Sequence, residues 1–466
     1  MTNILAFSRA YQKRYFPLIE RYLSSSEIKF YHVVFDIKER IFVESLGGEV
    51  VLTIEDEINA QGCAEIFGDQ MLIVPVEIFK LIPHPFSLGG SDRYLRQLDA
   101  RQRLRVVNIL YLALEKVFRL KNITHVLNEP VAFLPAHLMM FLARKFGATE
   151  LFWNASYLPG HFTFLQCLDA SEIVTPKRLQ YTPQEILRLV ADHCQKVEAD
   201  MGKPLYIPTR QCREGLFKRL WLFLISALKL SRRLGMLFKK VNPANYIYSL
   251  SFQQYLWEFD CCLANIVFMY DNFDDIDNNR DVFFPIHLEP EAALHYGAPK
   301  YINQVAFAEQ IAGAIPDGST LWIKEHPSQP GALGTSNWKS LRRRVGNVRF
   351  LPGSLSSRKV ILKCWGTVSI GSTAGMDSLV LGKPTFVFGG AYYSNYPGAF
   401  KSESYEDFAI KIRHLLGQKD LVPKAKLREA LARDMIKCVS GNPFSGKELY
   451  SQKSVAEVAI GIGRFI

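Results

Sequence analysis

The chain has 466 residues, 48% hydrophobic and 22% charged, which excludes a disordered or fibrous protein and gives length enough for two domains. Its 56 Lys and Arg against 45 Asp and Glu leave a formal charge of +11, a balance that suits phosphate-bearing partners such as a nucleotide, an anionic lipid surface or a nucleic acid. The eight cysteines are scattered, with no C-x-x-C and no histidine at zinc-ligand spacing, so neither a disulfide framework nor a metal site is expected. The N-terminal MTNILAFSRAYQKRYFP lacks the apolar run and cleavage site of a secretory signal, and a cytoplasmic location is expected.

Taken in chain order, NILAFS at 3–8 reads as a strand and YQKRYFPLIERYL as a helix. KFYHVVFD and MLIVP read as further strands, and 96–117 as a helix. ITHVLNE at 123–129 is a strand, AHLMMFLARKFG a helix closed by Gly147, and ATELFWNAS a strand. The rhythm breaks over 183–265, which looks mostly helical. The run at 213–240 carries eight Lys and Arg against the single acid Glu214. Such a segment can be a basic helix pair packed on a domain, can lie on the anionic inner face of a membrane as a peripheral anchor, or can meet a protein partner. Its longest apolar stretch, LWLFLISALKL, is too short to span a bilayer. MYDNFDDIDNNRD at 269–281 lacks the glycine and glutamate of a calcium loop and reads as a surface turn.

A second alternation starts at 282 with the strand VFFPIHL. It continues through the helix YINQVAFAEQIAGAI, the strands TLWIKEH, NVRFLP and TVSIGS, the helix AGMDSLVLG and the strand PTFVFG. The last 50 residues look helical, with no strand-like run until the very end. The expected organisation is an N-terminal Rossmann-like domain at 1–180, a helical connecting region at 181–274, a second Rossmann-like domain at 275–415 and C-terminal helices at 416–466. The fold class is α/β, with two doubly wound domains facing a cleft. In such sheets ligands bind beyond the carboxyl ends of the strands.

Polar residues follow strand after strand in the second half. They are His287, Glu289 and Glu291; Lys324, Glu325 and His326; Ser369, Gly371, Ser372, Thr373 and Gly375; and Gly389, Gly390 and Tyr392. In GSTAG the glycines allow a tight turn, Ser372 or Thr373 can cap the next helix, and that helix start can hold an anion. The G-x-x-x-x-G-K-[ST] spacing of a P-loop is absent. Beside Lys324 and His326 the segment becomes a candidate phosphate clamp. Asp377 is either a solvated helix carboxylate or a partner of a sugar hydroxyl. In the first half Asn128 and Glu129 end a strand, and Ser156, Gly160 and His161 follow another. Glu129 is a candidate general acid or base, and Asn128 and His161 are candidates for the acceptor side.

Three stretches together, FFPIHLEPEAALHYG, YINQVAFAEQIAGAIPDGSTLWIKEHPSQPG and VSIGSTAGMDSLVLGKPTFVFGGAYYS, resemble the bacterial capsule and surface-polysaccharide glycosyltransferases, and more narrowly the branch of the retaining β-Kdo transferases. The resemblance is detailed over 282–398 and fainter over 120–165. It implies a GT-B architecture and a nucleotide-sugar donor, CMP-Kdo in that branch, used without a metal or other cofactor. It implies that His326 contacts the donor phosphate, that Ser372 and Thr373 help to hold it with Gly371 and Gly389 beside them, and that Asp377 lies near the nucleotide. It matches Glu291 to the family's aspartate nucleophile. That departure lengthens the side chain by one methylene and moves the carboxylate by about an ångström.

The expected activity is therefore transfer of Kdo or a related ulosonic acid onto a capsule or lipopolysaccharide glycan, free or lipid-linked. Glu291, Glu129 and His326 would be catalytic. A nucleotide-sugar epimerase of the same build and a non-catalytic glycan assembly or export component are the alternatives. No nucleic-acid module is recognised.

Overall fold

The computed structural model describes residues 1–23, 27–60, 92, 95, 98–129, 133–165, 172–199, 216–237, 252–289, 294, 297–418, 420–444 and 449–466. The expected strand at 71–75 and the candidate Glu291 lie outside them. The chain divides into two units. One holds Met1–Thr182 with Asp434–Ile466, and the other holds the described residues from Pro183 to Arg433.

The first unit is built on a run of fully buried apolar residues, Ile4 to Ala6, in β1 (Thr2–Phe7). β2 (Ile28–Val34), β3 (Val50–Thr53), β4 (His125–Asn128) and β5 (Thr149–Ala155) join it in parallel in the order β3-β2-β1-β4-β5. Strands buried on both faces read as continuous apolar runs, which is why β1, β2 and β5 were legible. The short β3, half of it only partly buried, was not expected. The helices are α1 (Gln12–Leu23), α2 (Ile37–Ser45), α3 (Ile54–Ala60), α4 (Ala100–Lys121) and α5 (Leu134–Phe146). Their ends follow ordinary capping chemistry. Asp36 accepts from the Glu39 N–H at 2.8 Å, and Asp99 and Gln102 form a reciprocal capping box. Gly147 ends α5 at φ +67°. Gly160, at φ +70°, turns β5 into the antiparallel β6 (His161–Leu165), also unexpected.

The second unit opens with α6 (Pro183–Ala199), α7 (Leu216–Leu237) and α8 (Phe252–Val267). Its sheet comprises β7 (Val282–Pro285), β8 (Leu321–Lys324), β9 (Val348–Leu351), β10 (Gly366–Ser369), β11 (Thr385–Val387) and β12 (Ala399–Lys401). All are parallel, in the order β9-β8-β7-β10-β11-β12, which is the 3-2-1-4-5-6 order of a Rossmann fold. The intervening helices are α9 (Gln304–Ala314), α10 (Ser336–Arg344), α11 (Ser357–Lys363) and α12 (Thr373–Val380), with α13 (Tyr405–Leu415) and α14 (Lys424–Met435) after β12. One core gathers Phe284, Ile286, Phe307, Ile311, Ile323, Phe350, Phe386 and Phe388.

The helical region before β7 packs as part of this second unit, not as a separate connector. The acidic turn at 269–281 is also more than surface. Buried Asp281 accepts from the Trp322 indole at 2.8 Å and from the Thr320 N–H at 2.9 Å, and Asp271 accepts from the Phe350 N–H at 2.7 Å.

The C-terminal stretch corrects the expectation twice. β13 (Val439–Ser440) adds to β6, and the very end, expected to be strand-like, is the helix α15 (Gln452–Gly463). Val439, Val455, Val458, Ile462 and Phe465 enter the first unit's core beside Phe16, Trp153 and Phe164. Phe465 meets Phe164 edge-on at 4.7 Å. The two largely parallel sheets, each flanked by helices along the chain, give the α/β, Rossmann-like build expected.

Candidate functional site

In the second sheet β11, β10, β7 and β8 are neighbours, so the four polar strand ends named from sequence lie along one edge. The strand order reverses between β7 and β10, the switch point where an open sheet leaves room for a ligand.

The loop after β10 is built for close approach. Gly371 sits at φ +74°, and a Cβ there would lie 2.8 Å from the Gly390 carbonyl. Ser372 then takes the N-cap position of α12, but its side chain makes no capping hydrogen bond. The turn is held from below. Buried Ser369 Oγ accepts the Ser372 N–H at 2.9 Å and lies 3.0 Å from the Tyr393 hydroxyl, which donates to the Ser372 carbonyl. Gly375 leaves the space for that hydroxyl, since a Cβ would come within 2.4 Å of it. Tyr393 was missed in the sequence. Its only signal was its place just after a strand end, where Tyr392 had been singled out. Gly371, Ser372 and Thr373 thus form the expected helix start, with its first N–H groups directed out of the helix.

At the end of β8, consecutive residues separate. Glu325 is buried, and its carboxylate accepts from the Leu333 N–H at 3.0 Å and the Gly353 N–H at 3.4 Å. Burial raises its pKa against those hydrogen bonds. His326 is half-buried. Its Nδ1 accepts from the Ser328 N–H at 3.1 Å, which leaves Nε2 to carry the ring proton. The β7 and β8 loops are tied together by Gln329, which donates to the Glu289 carbonyl at 2.7 Å and accepts its N–H at 3.0 Å. Buried Gln304 adds a bond to Glu289 Oε1 at 2.7 Å.

Three donor-side candidates have other tasks. Lys324, expected to clamp phosphate, is 2% exposed, and its ammonium donates to the carbonyls of Glu325 (3.0 Å) and Gly353 (3.4 Å). Asp377, expected near the nucleotide, is buried and accepts from Arg358 Nε of α11 at 3.0 Å. Gly389, at φ +79°, uses its missing side chain against protein, because a Cβ would lie 2.5 Å from Ala298 Cβ.

In the first unit, Glu129 follows β4 and accepts from Gln12 Nε2 at 2.9 Å. Burial raises its pKa, opposed by the charge of Arg9 and a hydrogen bond from Tyr11. Arg9 in turn stacks over Phe133 at 3.8 Å. Arg9, Tyr11 and Gln12 all come from the loop and helix start after β1, a grouping that sequence spacing does not reveal. Asn128, expected to meet the acceptor, is 1% exposed and accepts the Phe7 N–H at 3.0 Å, stitching β4 to β1. His161 pairs with the Tyr181 hydroxyl at 2.7 Å and the Pro159 carbonyl at 2.9 Å in the β5–β6 turn.

The second unit has a recognisable family likeness, while whole-chain likenesses are remote. No curated protein matches the chain. Among solved structures, the KpsC beta Kdo 2,4 transferase of Thermosulfurimonas dismutans is 12% identical, covering 73% of this chain and 88% of that one at a TM-score of 0.38. A glycosyltransferase from Rickettsia africae is 10% identical, covering 99% and 97% at 0.31, and a UDP-GlcNAc 2-epimerase from Neisseria meningitidis is 10% identical, covering 100% and 99% at 0.26. Residues 276–438, about a third of the chain and the span holding the whole second sheet, match the family model of capsule polysaccharide biosynthesis proteins.

Proposed function

We propose that this protein is a glycosyltransferase of surface-polysaccharide synthesis, and that the carboxyl edge of its second sheet binds a nucleotide-sugar donor. The observation that carries the reading is the glycine turn at Gly371 leading into the start of α12, where the Ser372 side chain makes no capping hydrogen bond, at the switch point of a 3-2-1-4-5-6 sheet and in the same row of strand ends as His326. The capsule-family match over 276–438 supports the class of product.

In this reading the donor is CMP-linked Kdo or a related ulosonic acid. As the bond from the sugar to the nucleotide breaks, negative charge grows on the leaving phosphate. The Nε2–H of His326 and the first N–H groups of α12 offset it, with Ser372 and Thr373 hydroxyls as further donors. Retention needs two displacements. The Glu291 carboxylate attacks the anomeric carbon and expels the nucleotide. The acceptor hydroxyl, giving its proton to Glu129, then attacks the same carbon and frees Glu291. The acceptor is a growing surface glycan, free or lipid-linked. No metal takes part, so a chelator leaves the rate unchanged.

The test is incubation of the full chain with CMP-, UDP-, GDP- and TDP-linked sugars, with and without oligosaccharide acceptor. Acceptor-dependent release of CMP, with retained anomeric configuration, is expected. Turnover of donor alone to an isomer, or no turnover with any donor, would refute the reading.

A further inference from the structure

Helix α7 exposes what most helices hide. Phe217, Trp221, Leu224 and Leu228 are 90%, 63%, 53% and 59% exposed, and their spacing of four, three and four residues sets them along one face. The opposite face is in use. Phe223 packs on Phe259 of α8 at 5.0 Å, and Arg219 donates to the Asn265 carbonyl at 3.1 Å. The apolar surface continues onto α8, where Leu263 and Val267 border an open groove of about 540 Å³.

The edges of this surface are cationic. Lys229, exposed, follows Leu228 by one residue and lies about 100° further round the helix. Lys339, Arg342 and Arg343 of α10 line the far side of the groove against the single acid Asp260 of α8; Arg342 is paired with Asp271 at 2.6 Å, and the balance of the lining stays positive. The sequence at 213–240 carries eight basic residues and one acid, and no described helix is long and apolar enough to cross a membrane. A second copy would bring the same positive charge to the contact, which opposes pairing of this face with itself. An amphipathic helix with exposed Trp, Phe and Leu and a basic border matches a surface that is apolar just below and anionic on top.

We propose that the α7–α8 face seats the protein on an anionic lipid bilayer, with Phe217, Trp221, Leu224 and Leu228 entering the headgroup boundary. The inference does not depend on the transfer reaction. Trp221 is the one exposed tryptophan of the six in the chain, so its emission reports the contact directly.

The experiment is flotation of the full chain with vesicles of phosphatidylcholine alone and of phosphatidylcholine with phosphatidylglycerol, with tryptophan emission recorded in parallel. The native chain is expected to float with the anionic vesicles only, to be released by high salt, and to shift its emission to the blue. Trp221→Ser combined with Leu228→Ser, both at exposed positions, should lower binding by about tenfold or more with an unchanged circular dichroism spectrum. Lys229→Glu with Arg343→Glu should weaken binding and its salt dependence together. Absence of flotation, equal flotation with neutral vesicles, or unchanged binding by both double variants would overturn the proposal. So would a stable dimer in light scattering that the Trp221→Ser, Leu228→Ser variant abolishes.

Discussion

Glu325 and His326 stand side by side just past the end of β8, and the loop there gives them different surroundings. Glu325 turns into protein and accepts two backbone N–H groups, while His326 stays half-exposed with its ring proton on Nε2. Their substitutions should therefore fail differently. His326→Ala is expected to leave the unfolding midpoint unchanged and to lower transfer by 10²-fold or more, roughly the loss of one aimed donor. Glu325→Ala strands the N–H groups of Leu333 and Gly353 and should cost about 2 kcal/mol in urea denaturation. Asp377 gives a sharper contrast. If its partner is Arg358 and not a sugar, Asp377→Ala leaves a buried guanidinium unpaired and destabilises by roughly 3–5 kcal/mol, with little change in donor KM in the folded fraction. Lys324, Asp377 and Asn128 are each buried and bonded to protein. Residue type and strand position say that a polar group is near an edge, but only packing says whether it turns inward. Glu129 is the base proposed for the acceptor hydroxyl. Burial lifts its pKa, so a base that must be ionised loses rate as pH falls through a range above that of an ordinary glutamate. Glu129→Gln should remove that acidic limb and lower the plateau rate by about 10²–10⁴-fold.

At the scale of elements, strands buried on both faces and helices with clear caps were legible, and short or partnered ones were not. β1, β5, β7, β8 and β11 are mostly apolar and bounded by turn residues, and the sequence places each close to its observed bounds, as it does the shorter and more polar β4 and β10. β13 has two residues, and it exists because β6 offers an edge to pair with. The helix α15 was read as strand-like because VAIGI is apolar throughout; the neighbouring Phe164 and Trp153 give that apolar surface a core to enter. The turn at the start of α12 depends on three residues of unrelated type, Ser369, Gly375 and Tyr393. Gly375→Ala would drive a methyl group into the Tyr393 hydroxyl and the buried Ser369. Its expected signature is weaker donor binding at nearly full helix content, whereas an exposed control such as Gly346→Ala, which meets nothing within 4 Å, should bind normally.

For the whole molecule, the return of residues 434–466 to the first unit means that the chain's end completes its beginning. Burial of histidines in both units bears on acid stability. Burial, with the Arg358 charge second, holds the His193 imidazole down to about 4, and burial, with Lys177 second, does the same for His125. Both rings are neutral when folded and take a proton more readily when unfolded. Their contribution is intact above the unfolded value of about 6.5 and is lost as pH falls toward 4. His193→Gln should shrink the difference between unfolding midpoints measured at neutral and at mildly acidic pH. Donor binding at the strand ends of the second sheet is measured by calorimetric titration of the native chain and of His326→Ala with CMP, UMP, GMP and TMP. CMP is expected to bind the native chain best, and the substitution to weaken it at least tenfold without altering the fold. Binding of none of the four, or equal binding of CMP by both proteins, would contradict donor binding there.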